Sequence, residues 1–510
     1  MMMKESRAIE KIKRSFDIVQ SSIRNFAYTD YYIIAVLIVV CVAWATKCAP
    51  FGFIALISLS CVMLIFLDDI LPLTVNIFGA VLMIYSNSLD EFLYLWPIFI
   101  VLGLSIAVFI VRNIRHKFSF GKMFFPQLAV CLALLLGGLG TITAENYLRA
   151  LPTILFLGFG VLAIYVLYNL FLKRTNSFDV FLYFSRTLMY IGLAVCFELL
   201  VTIIRSGLPT SLWNTGNWSV GWGNRNNIAT YLILTAAMTF YLSTRYKHGW
   251  IYLAIGLIQY ICIIFTFSRG GILFGGLSGI CALGASIAKA IDKKRQLIAI
   301  GSVTAVLLIA YFCLFDKANS MFVSLLSRGT SLSGRDLLYA EAWELFKNNP
   351  LLGVGVGYTG NGPGAINVMQ IYWFHSTFFE TIATMGMIGF LLYCYYYGKR
   401  IYLLFKGGIT KKFNLFVLIA WIGFEGYSMI DTGTMVPYPN MMLIIVMCLL
   451  LELSMKTCNF EDGANIKEAF LPRKIVFSLS SRKEKSGENT VLQVIHHREN
   501  AENYFKDDKI

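Results

Sequence analysis

Charged residues are scarce in this chain. Lys, Arg, Asp and Glu make up 14% of its 510 residues, hydrophobic residues make up 57%, and the mean hydropathy is +0.67. Soluble globular domains carry about 25% charged residues, so this composition excludes that class. The apolar stretches are long and continuous, which suits helices that cross a bilayer core of roughly 30 Å and does not fit the alternating pattern of a membrane β-barrel. The sequence therefore predicts an all-α, polytopic membrane protein.

Cysteine and histidine are also few. The eleven cysteines show no metal-ligand spacing, and all but Cys48 and Cys458 lie in apolar segments, so we interpret them as small buried hydrophobic residues. Of the five histidines, the adjacent His496 and His497 have no partner ligands nearby. We therefore expect no metal site. No apolar core of a cleavable signal peptide precedes Tyr31.

Fourteen apolar segments are candidate membrane spans. A re-entrant third segment, which contains Pro72, would lower the total, so we predict about 12 to 14 transmembrane helices. Residues 1–30 form a basic leader that is either an interfacial helix or a solvated cytoplasmic segment, and residues 456–510 form a polar cytoplasmic tail. The bundle is predicted over 31–455, with spans at 31–49, 50–67, 70–86, 92–111, 123–143, 151–172, 179–204, 228–243, 250–268, 270–289, 297–315, 376–397, 413–430 and 440–455.

The net charge of +14 raises the possibility of nucleic acid binding, but the distribution of basic residues argues for a membrane topology instead. With Met1 in the cytoplasm, 33 of the 43 Lys and Arg fall on the cytoplasmic side, nine fall outside, and Arg186 lies inside a span. The positive-inside rule selects this arrangement. We expect a multi-pass protein of the bacterial cytoplasmic membrane with both termini in the cytoplasm and no nucleic acid partner.

Two external loops are predicted, at 205–227 and 316–375. The first contains Trp213, Trp218 and Trp222. Tryptophans at this depth are interface anchors or platforms on which sugar rings stack, and we retain Trp222 as a candidate substrate-binding residue. In the second loop, residues 331–349 are predicted to form a helix with Ser333 at the N-cap and Asp336 three residues later.

The predicted helix places Arg335 in its first turn, where free backbone N–H groups and a guanidinium both suit an anion. Gly353, Gly355 and Gly357 follow, but no strand precedes them, so they are no dinucleotide fingerprint. We expect them to make tight turns in a loop that lies against the membrane surface. No other nucleotide-binding loop is visible, and no cofactor is expected.

His375 is the one histidine that the topology places outside, and its imidazole suits proton transfer from a hydroxyl. The alternative is a hydrogen-bonded interfacial histidine. Four external arginines, Arg225, Arg269, Arg328 and Arg335, oppose the orientation bias and suit bidentate phosphate contacts. The alternative partners are lipid phosphates or nearby acids. The buried charges Arg186, Glu198, Glu380 and Glu425 are interpreted mainly as bundle-stabilising pairs, although Glu380 is close enough to His375 to support it.

Together these residues resemble the O-antigen ligase and O-antigen polymerase superfamily of bacterial membrane glycosyltransferases. The resemblance rests on Ser268-Arg269-Gly270-Gly271, on Ser333-Gly334-Arg335 with Trp343, on Asn349-Pro350 with Gly353-Val354-Gly355, and on His375 before Gly386 and Gly389. It covers about Gly221 to Asp431. Family members commonly carry asparagine after the histidine, whereas this chain has Ser376.

The resemblance implies a GT-C-type fold and an enzyme that uses a glycan donor linked to undecaprenyl diphosphate on the outer face, without metal. Arg269 and Arg335 would grip the diphosphate, His375 would act on the acceptor hydroxyl, and Arg225, Arg328, Trp222 and Glu380 would line or support the site. Partners would be the donor, a glycan or lipid acceptor, the bilayer and other polysaccharide assembly proteins. Polymerase, ligase and transfer to protein stay open, with polymerase preferred.

Two other classes of protein are alternatives. A transporter or flippase of lipid-linked glycans should show two similar halves with interrupted helices, and no convincing repeat is visible in the sequence. A purely structural membrane scaffold leaves the external arginines unexplained.

Overall fold

A computed structural model describes residues 2–85, 95–113, 120–141, 144–172, 179–206, 219–313, 315–316, 319–320, 323, 334–359, 374–431, 439–456 and 462–471. These residues form helices and no β-strand. In chain order the α-helices are α1 (Met2–Ala27), α2 (Asp30–Ala45), α3 (Ala49–Phe66), α4 (Thr74–Leu82), α5 (Trp96–Asn113), α6 (Phe124–Leu136), α7 (Ala144–Thr153), α8 (Val161–Leu172), α9 (Val180–Arg205), α10 (Arg225–Ser243), α11 (Gly249–Phe265), α12 (Arg269–Ala288), α13 (Lys293–Cys313), α14 (Arg335–Asn348), α15 (Thr377–Gly407), α16 (Lys412–Ser428) and α17 (Met441–Ser454).

The predicted all-α membrane bundle is confirmed. Each of the fourteen predicted spans contains helical residues. By length and composition, seven helices among the described residues can cross a membrane, and an eighth is counted if α1 and α2, bent by 72°, are one span. The number is lower than fourteen because several helices are short. At 1.5 Å per residue, the 13 residues of α6 and the 14 of α17 fall short of a full bilayer core.

Helix α10 lies at the centre of the bundle. All residues from Ile228 to Ser243 are buried, and the helix packs against α9, α11, α12 and α16. Its sequence is apolar around the whole circumference, the pattern expected of a helix enclosed on every side. Because the helix is held on every side, the positions of both its ends are fixed, including its first residue, Arg225.

Helix α12 packs through a stripe of small residues that repeats every four positions, Gly271, Gly275 and Gly279. A Cβ added to Gly271 would lie 2.5 Å from the Cβ of Ala229 on α10, and one added to Gly275 would lie 3.2 Å from Ile263 on α11. Larger side chains at these positions would force the helices apart. The stripe that starts just after Arg269 therefore holds α12 close to the central helix.

The glycine loop 353–357 packs on a break in α15, and its position against the membrane surface stays a prediction. Gly386 interrupts α15 with φ 63°. The N–H groups of Val354 and Gly355 donate to the carbonyl oxygens of Ala383 and Thr384 at 2.9 and 2.8 Å. The backbone groups freed by the break therefore find partners in the loop, as buried backbone polar groups require. Across the break, the N–H of Met387 donates to Pro350 O at 2.8 Å.

Two of the four buried charges predicted in the spans, Arg186 and Glu425, form ion pairs. Arg186 contacts Asp30 at 2.8 Å, and Arg400 forms an ion pair with Glu425. Glu198 accepts a hydrogen bond from the indole Nε1–H of Trp222 at 2.5 Å. Trp222 is only 2% exposed, because its ring fills the space beside α9 and α10. It therefore offers no face to a sugar or to the membrane interface, and its assignment as a substrate-binding residue is corrected.

Helix ends that the predicted topology assigns to the same side of the membrane are in contact. Arg24 and Arg112 both contact Asp68, and Arg245 contacts Asp179 at 2.7 Å and Asp462 at 3.0 Å. These contacts join predicted cytoplasmic segments. At the other end, the indole of Trp44 donates to Val220 O at 2.7 Å. The leader is the helix α1, bent sharply from α2.

Candidate functional site

Helix α14 carries Arg335 in its first turn, as predicted, but the predicted N-cap is wrong. Gly334, with φ 78°, occupies the N-cap, and no side chain caps the helix there. Ser333 lies outside the described residues. The apolar face of α14 packs on the start of α15, with Ala342 buried against Phe374 and Ala383. This contact holds the amphipathic helix against the start of α15.

His375 stands at the junction between the loop and α15. Its φ is 51°, a left-handed conformation that costs a residue with a side chain on the order of 1–3 kcal/mol. Neighbouring contacts hold it there. The hydroxyl of Tyr339 donates to His375 O at 3.2 Å, and the carboxylate of Glu380 accepts the N–H of Phe374 at 2.9 Å. Glu380 is 1% exposed, so it supports the backbone beside His375 and does not face the site.

Asp431 is the common partner of His375 and Arg335. Its Oδ1 lies 3.3 Å from Nδ1 of His375, and its Oδ2 lies 3.2 Å from a terminal nitrogen of Arg335. Asp431 follows the end of α16 at Ser428, so helices α14, α15 and α16 meet at this carboxylate. Arg335 also donates to the carbonyl oxygen of Ile430, which fixes its guanidinium beside the aspartate.

A second set of hydrogen bonds extends from Asp431 to the starts of α10 and α12. The side-chain nitrogen of Asn226 donates a hydrogen bond to Asp431 Oδ2 at 2.7 Å. The side-chain oxygen of Asn226 accepts a hydrogen bond from the hydroxyl of Ser268 at 2.8 Å. Tyr427 also contacts Asp431 Oδ2, at 3.2 Å. Arg225 precedes Asn226 and Arg269 follows Ser268 in the chain, and both arginines are half-buried. We call the end of the bundle that holds this network the site end.

Phe267, just before this serine, is a second left-handed residue of the site end, with φ 55°. The turn it makes ends α11 and lets Ser268 cap α12, whose Gly271 N–H donates to the serine hydroxyl at 3.2 Å. Residues with side chains in this region of backbone space cluster at functional sites. Backbone strain therefore lies at His375 itself and two residues before Arg269, and the sequence marked both of these residues as catalytic.

The structure thus brings Arg335 and His375 together on Asp431 and places Arg225 and Arg269 one residue from the same network. Arg328 lies outside the described residues. Glu380 lies behind His375, and Trp222 lies inside the bundle.

Sequence reasoning missed Asp431, Asn226 and Tyr427. Asp431 carried one usable signal, since it is an acid directly after an apolar span on the side where the topology places basic candidates. Asn226 and Tyr427 carried none, because their neighbours along the chain do not reveal what they contact across the bundle.

The arrangement suits proton transfer beside an anion site. The side chains of His375 and Arg335 are 38% and 24% exposed, whereas that of Asp431 is 9% exposed. With a proton on Nδ1 directed at Asp431, the imidazole keeps a free electron pair on Nε2. Burial, reinforced by the charge of Asp431, raises the pKa of Tyr339, although Arg335 opposes the shift. Its hydroxyl therefore stays a hydrogen-bond donor to the backbone of His375.

The site thus lies at one end of a helical membrane bundle and is built from guanidinium, imidazole and carboxylate groups. A family model described as O-Antigen ligase matches residues 251–394. That segment contains Arg269, Arg335 and His375 and ends inside α15. The match confirms the resemblance to the O-antigen ligase and polymerase superfamily and supports an O-antigen ligase-type family of membrane enzymes. Asp431 lies beyond the matched segment. Comparison with curated proteins gave no match.

Proposed function

We propose that this protein is a glycosyltransferase that transfers or polymerises an oligosaccharide linked to a polyprenyl diphosphate on the outer face of the cytoplasmic membrane. The observation that carries the proposal is the shared contact of His375 and Arg335 with Asp431. It joins a proton acceptor and an anion-binding group within one partly exposed site, and such a pair is what glycosyl transfer from a diphosphate needs.

The diphosphate would be held by arginine. Arg335 lies in the first turn of α14, where its guanidinium and the free backbone N–H groups are both suited to an anion. Arg269 opens α12 directly after the capping residue Ser268, so it offers a second guanidinium at a helix N-terminus. Positive groups aimed at the leaving diphosphate stabilise the charge that develops on it in the transition state.

The acceptor hydroxyl would be activated by His375. The oxygen of the acceptor hydroxyl attacks the anomeric carbon of the donor sugar and forms the new glycosidic bond. The bond from that carbon to the diphosphate oxygen breaks. The electron pair of the broken bond leaves with the polyprenyl diphosphate, and the hydroxyl proton passes to Nε2 of His375. Asp431, which contacts Nδ1, then stabilises the positive charge of the imidazolium with its own negative charge.

The proposed outer-face location follows from the distribution of basic residues. The positive-inside rule puts the starts of α10, α12 and α15 outside, and these are the helix starts that the Asp431 network connects. Within the family, we prefer polymerisation to ligation because no residue of this chain indicates a particular acceptor.

A deletion strain complemented with His375→Ala tests the proposal. The donor should accumulate on the outer leaflet, and purified enzyme should lose about 10²–10⁴-fold in transfer rate, the range of general-base catalysis. His116→Ala, which changes a histidine predicted on the cytoplasmic side, is the control and should retain activity. Donor trapped on the inner leaflet would instead identify a flippase and overturn the proposal.

A further inference from the structure

A recess opens between α11 and α13 at the end of the bundle opposite the site. It encloses about 500 Å³, which lies within the range of about 300–1,000 Å³ that is usual for ligand pockets. Trp250 and Ala254 of α11 form one wall, and Ile298 and Val303 of α13 form the other. His248 and Arg295 stand at its mouth, with Nδ1 of His248 3.5 Å from Arg295 Nη1.

The position of the recess follows from the direction of the helices. Helix α10 starts in the Asp431 network and ends at Ser243. The carbonyl oxygen of Ser243 accepts a hydrogen bond from the side-chain amide of Gln296 at 2.9 Å. Gln296 is in the first turn of α13, and α11 begins a few residues after Ser243. The mouth of the recess therefore lies at the membrane face opposite His375, where the topology predicts the cytoplasm.

The chain beside the mouth is basic. Lys289, Lys293 and Lys294, which precede Arg295 in the sequence, are exposed as it is, and Asp292, in the connection from α12 to α13, contacts Arg295 at 3.2 Å. Deeper in, the lining is apolar except for Ser302. A ligand that fits must be anionic at one end and apolar along the rest.

We propose that this recess binds one anionic diacyl phospholipid of the inner leaflet. The phosphate lies between Arg295 and His248, and an acyl chain lies against Trp250 and Ile298. Basic pockets between transmembrane helices on the cytoplasmic side are suited to anionic headgroups. A second copy of this chain fits less well, because an α-helix would bring no phosphate to the basic mouth. The site is independent of the proposed glycan transfer.

Native mass spectrometry of the full-length protein in detergent, with added phosphatidylglycerol or phosphatidylcholine, tests the proposal. Phosphatidylglycerol should bind in a one-to-one ratio and more tightly than phosphatidylcholine. Arg295→Gln should weaken it about fivefold, the contribution expected of one cation near the membrane surface. Ser302→Trp, at an exposed position of the wall, should fill the recess and abolish the bound lipid. Lys406→Gln, a cation on α15 that contacts Tyr402, is the matched control and should bind as the unaltered protein does.

Three results would overturn the proposal. Equal binding of the two lipids would show that charge is not recognised. Undiminished phosphatidylglycerol binding in both Arg295→Gln and Ser302→Trp would place the lipid elsewhere. Competition by soluble glycerol phosphate at the same concentration would identify a phosphate site that needs no acyl chain. Because none of these measurements uses glycan transfer, their outcome is separate from that of the catalytic proposal.

Discussion

Nδ1 of His375 lies 3.3 Å from Oδ1 of Asp431, and the other oxygen of that carboxylate lies 3.2 Å from Arg335. One buried acid thus sets the positions of both a proton acceptor and an anion-binding group. Residues 56 and 96 positions apart in the chain meet at this point, and each change below tests a different part of the structure that brings them there.

Replacing Asp431 with asparagine tests the orientation of His375. The amide keeps the size of the side chain but loses the charge that faces the imidazole. We expect kcat to fall by about 10²-fold or more, because a misoriented ring forfeits general-base catalysis, while the protein stays folded. Kinetics with a lipid-linked donor give kcat and KM separately. Unchanged kcat in Asp431→Asn would show that the carboxylate does not act through the histidine.

Replacing Arg335 tests the grip on the diphosphate. Arg335→Ala should lower kcat by about 10²–10³-fold, as loss of an anion-stabilising donor does. Arg335→Lys keeps the charge but loses the planar fork, so it should fall between the alanine variant and the unaltered protein. The control is Lys347→Ala on the same helix, which removes an exposed pair with Glu344 and should change activity little. If Arg335→Lys were as active as the unaltered enzyme, a bidentate contact would be excluded.

Replacing Gly353 tests the docking of the glycine loop on α15. Its φ is 66°, and an added Cβ would lie 2.4 Å from the carbonyl carbon of Thr384. Gly353→Ala should therefore destabilise the protein by at least about 1–2 kcal/mol, the cost of the left-handed conformation alone. The midpoint of thermal unfolding in detergent measures it. Gly276→Ala is the control, since nothing lies within 4 Å of its added Cβ, and its midpoint should not fall.

Replacing one member of the Arg400–Glu425 pair tests buried charge compensation. The two side chains are 0% and 4% exposed. Glu425→Ala should destabilise the bundle by about 3–5 kcal/mol, because it leaves an uncompensated buried guanidinium. The double variant Arg400→Met, Glu425→Met should recover much of that loss. A double variant less stable than Glu425→Ala would mean that the packing of Arg400 over the ring of Tyr396, 4.9 Å away, matters more than the charge.

The sequence by itself determined where the apolar helices of this protein lie, although not how many of them are long enough to cross a membrane. Long apolar segments, the glycine stripe of α12 and the basic loops are local patterns, and local patterns report helix positions because each residue's burial repeats with the turn of its own helix. They also placed Arg269, Arg335 and His375 at helix starts, where the structure has them.

Only the tertiary structure decided which of these ends meet. Asp431 became visible as the partner of His375 and Arg335 once α14, α15 and α16 were packed together. Trp222, predicted at the surface, lies inside, where Glu198 of α9 accepts a hydrogen bond from its N–H. Likewise, the need for glycine at position 353 became clear only from the packing of its backbone on α15 beside the break at Gly386. Such contacts join residues far apart in the chain, and their free energy depends on shape and charge across helices, which no run of neighbouring residues encodes.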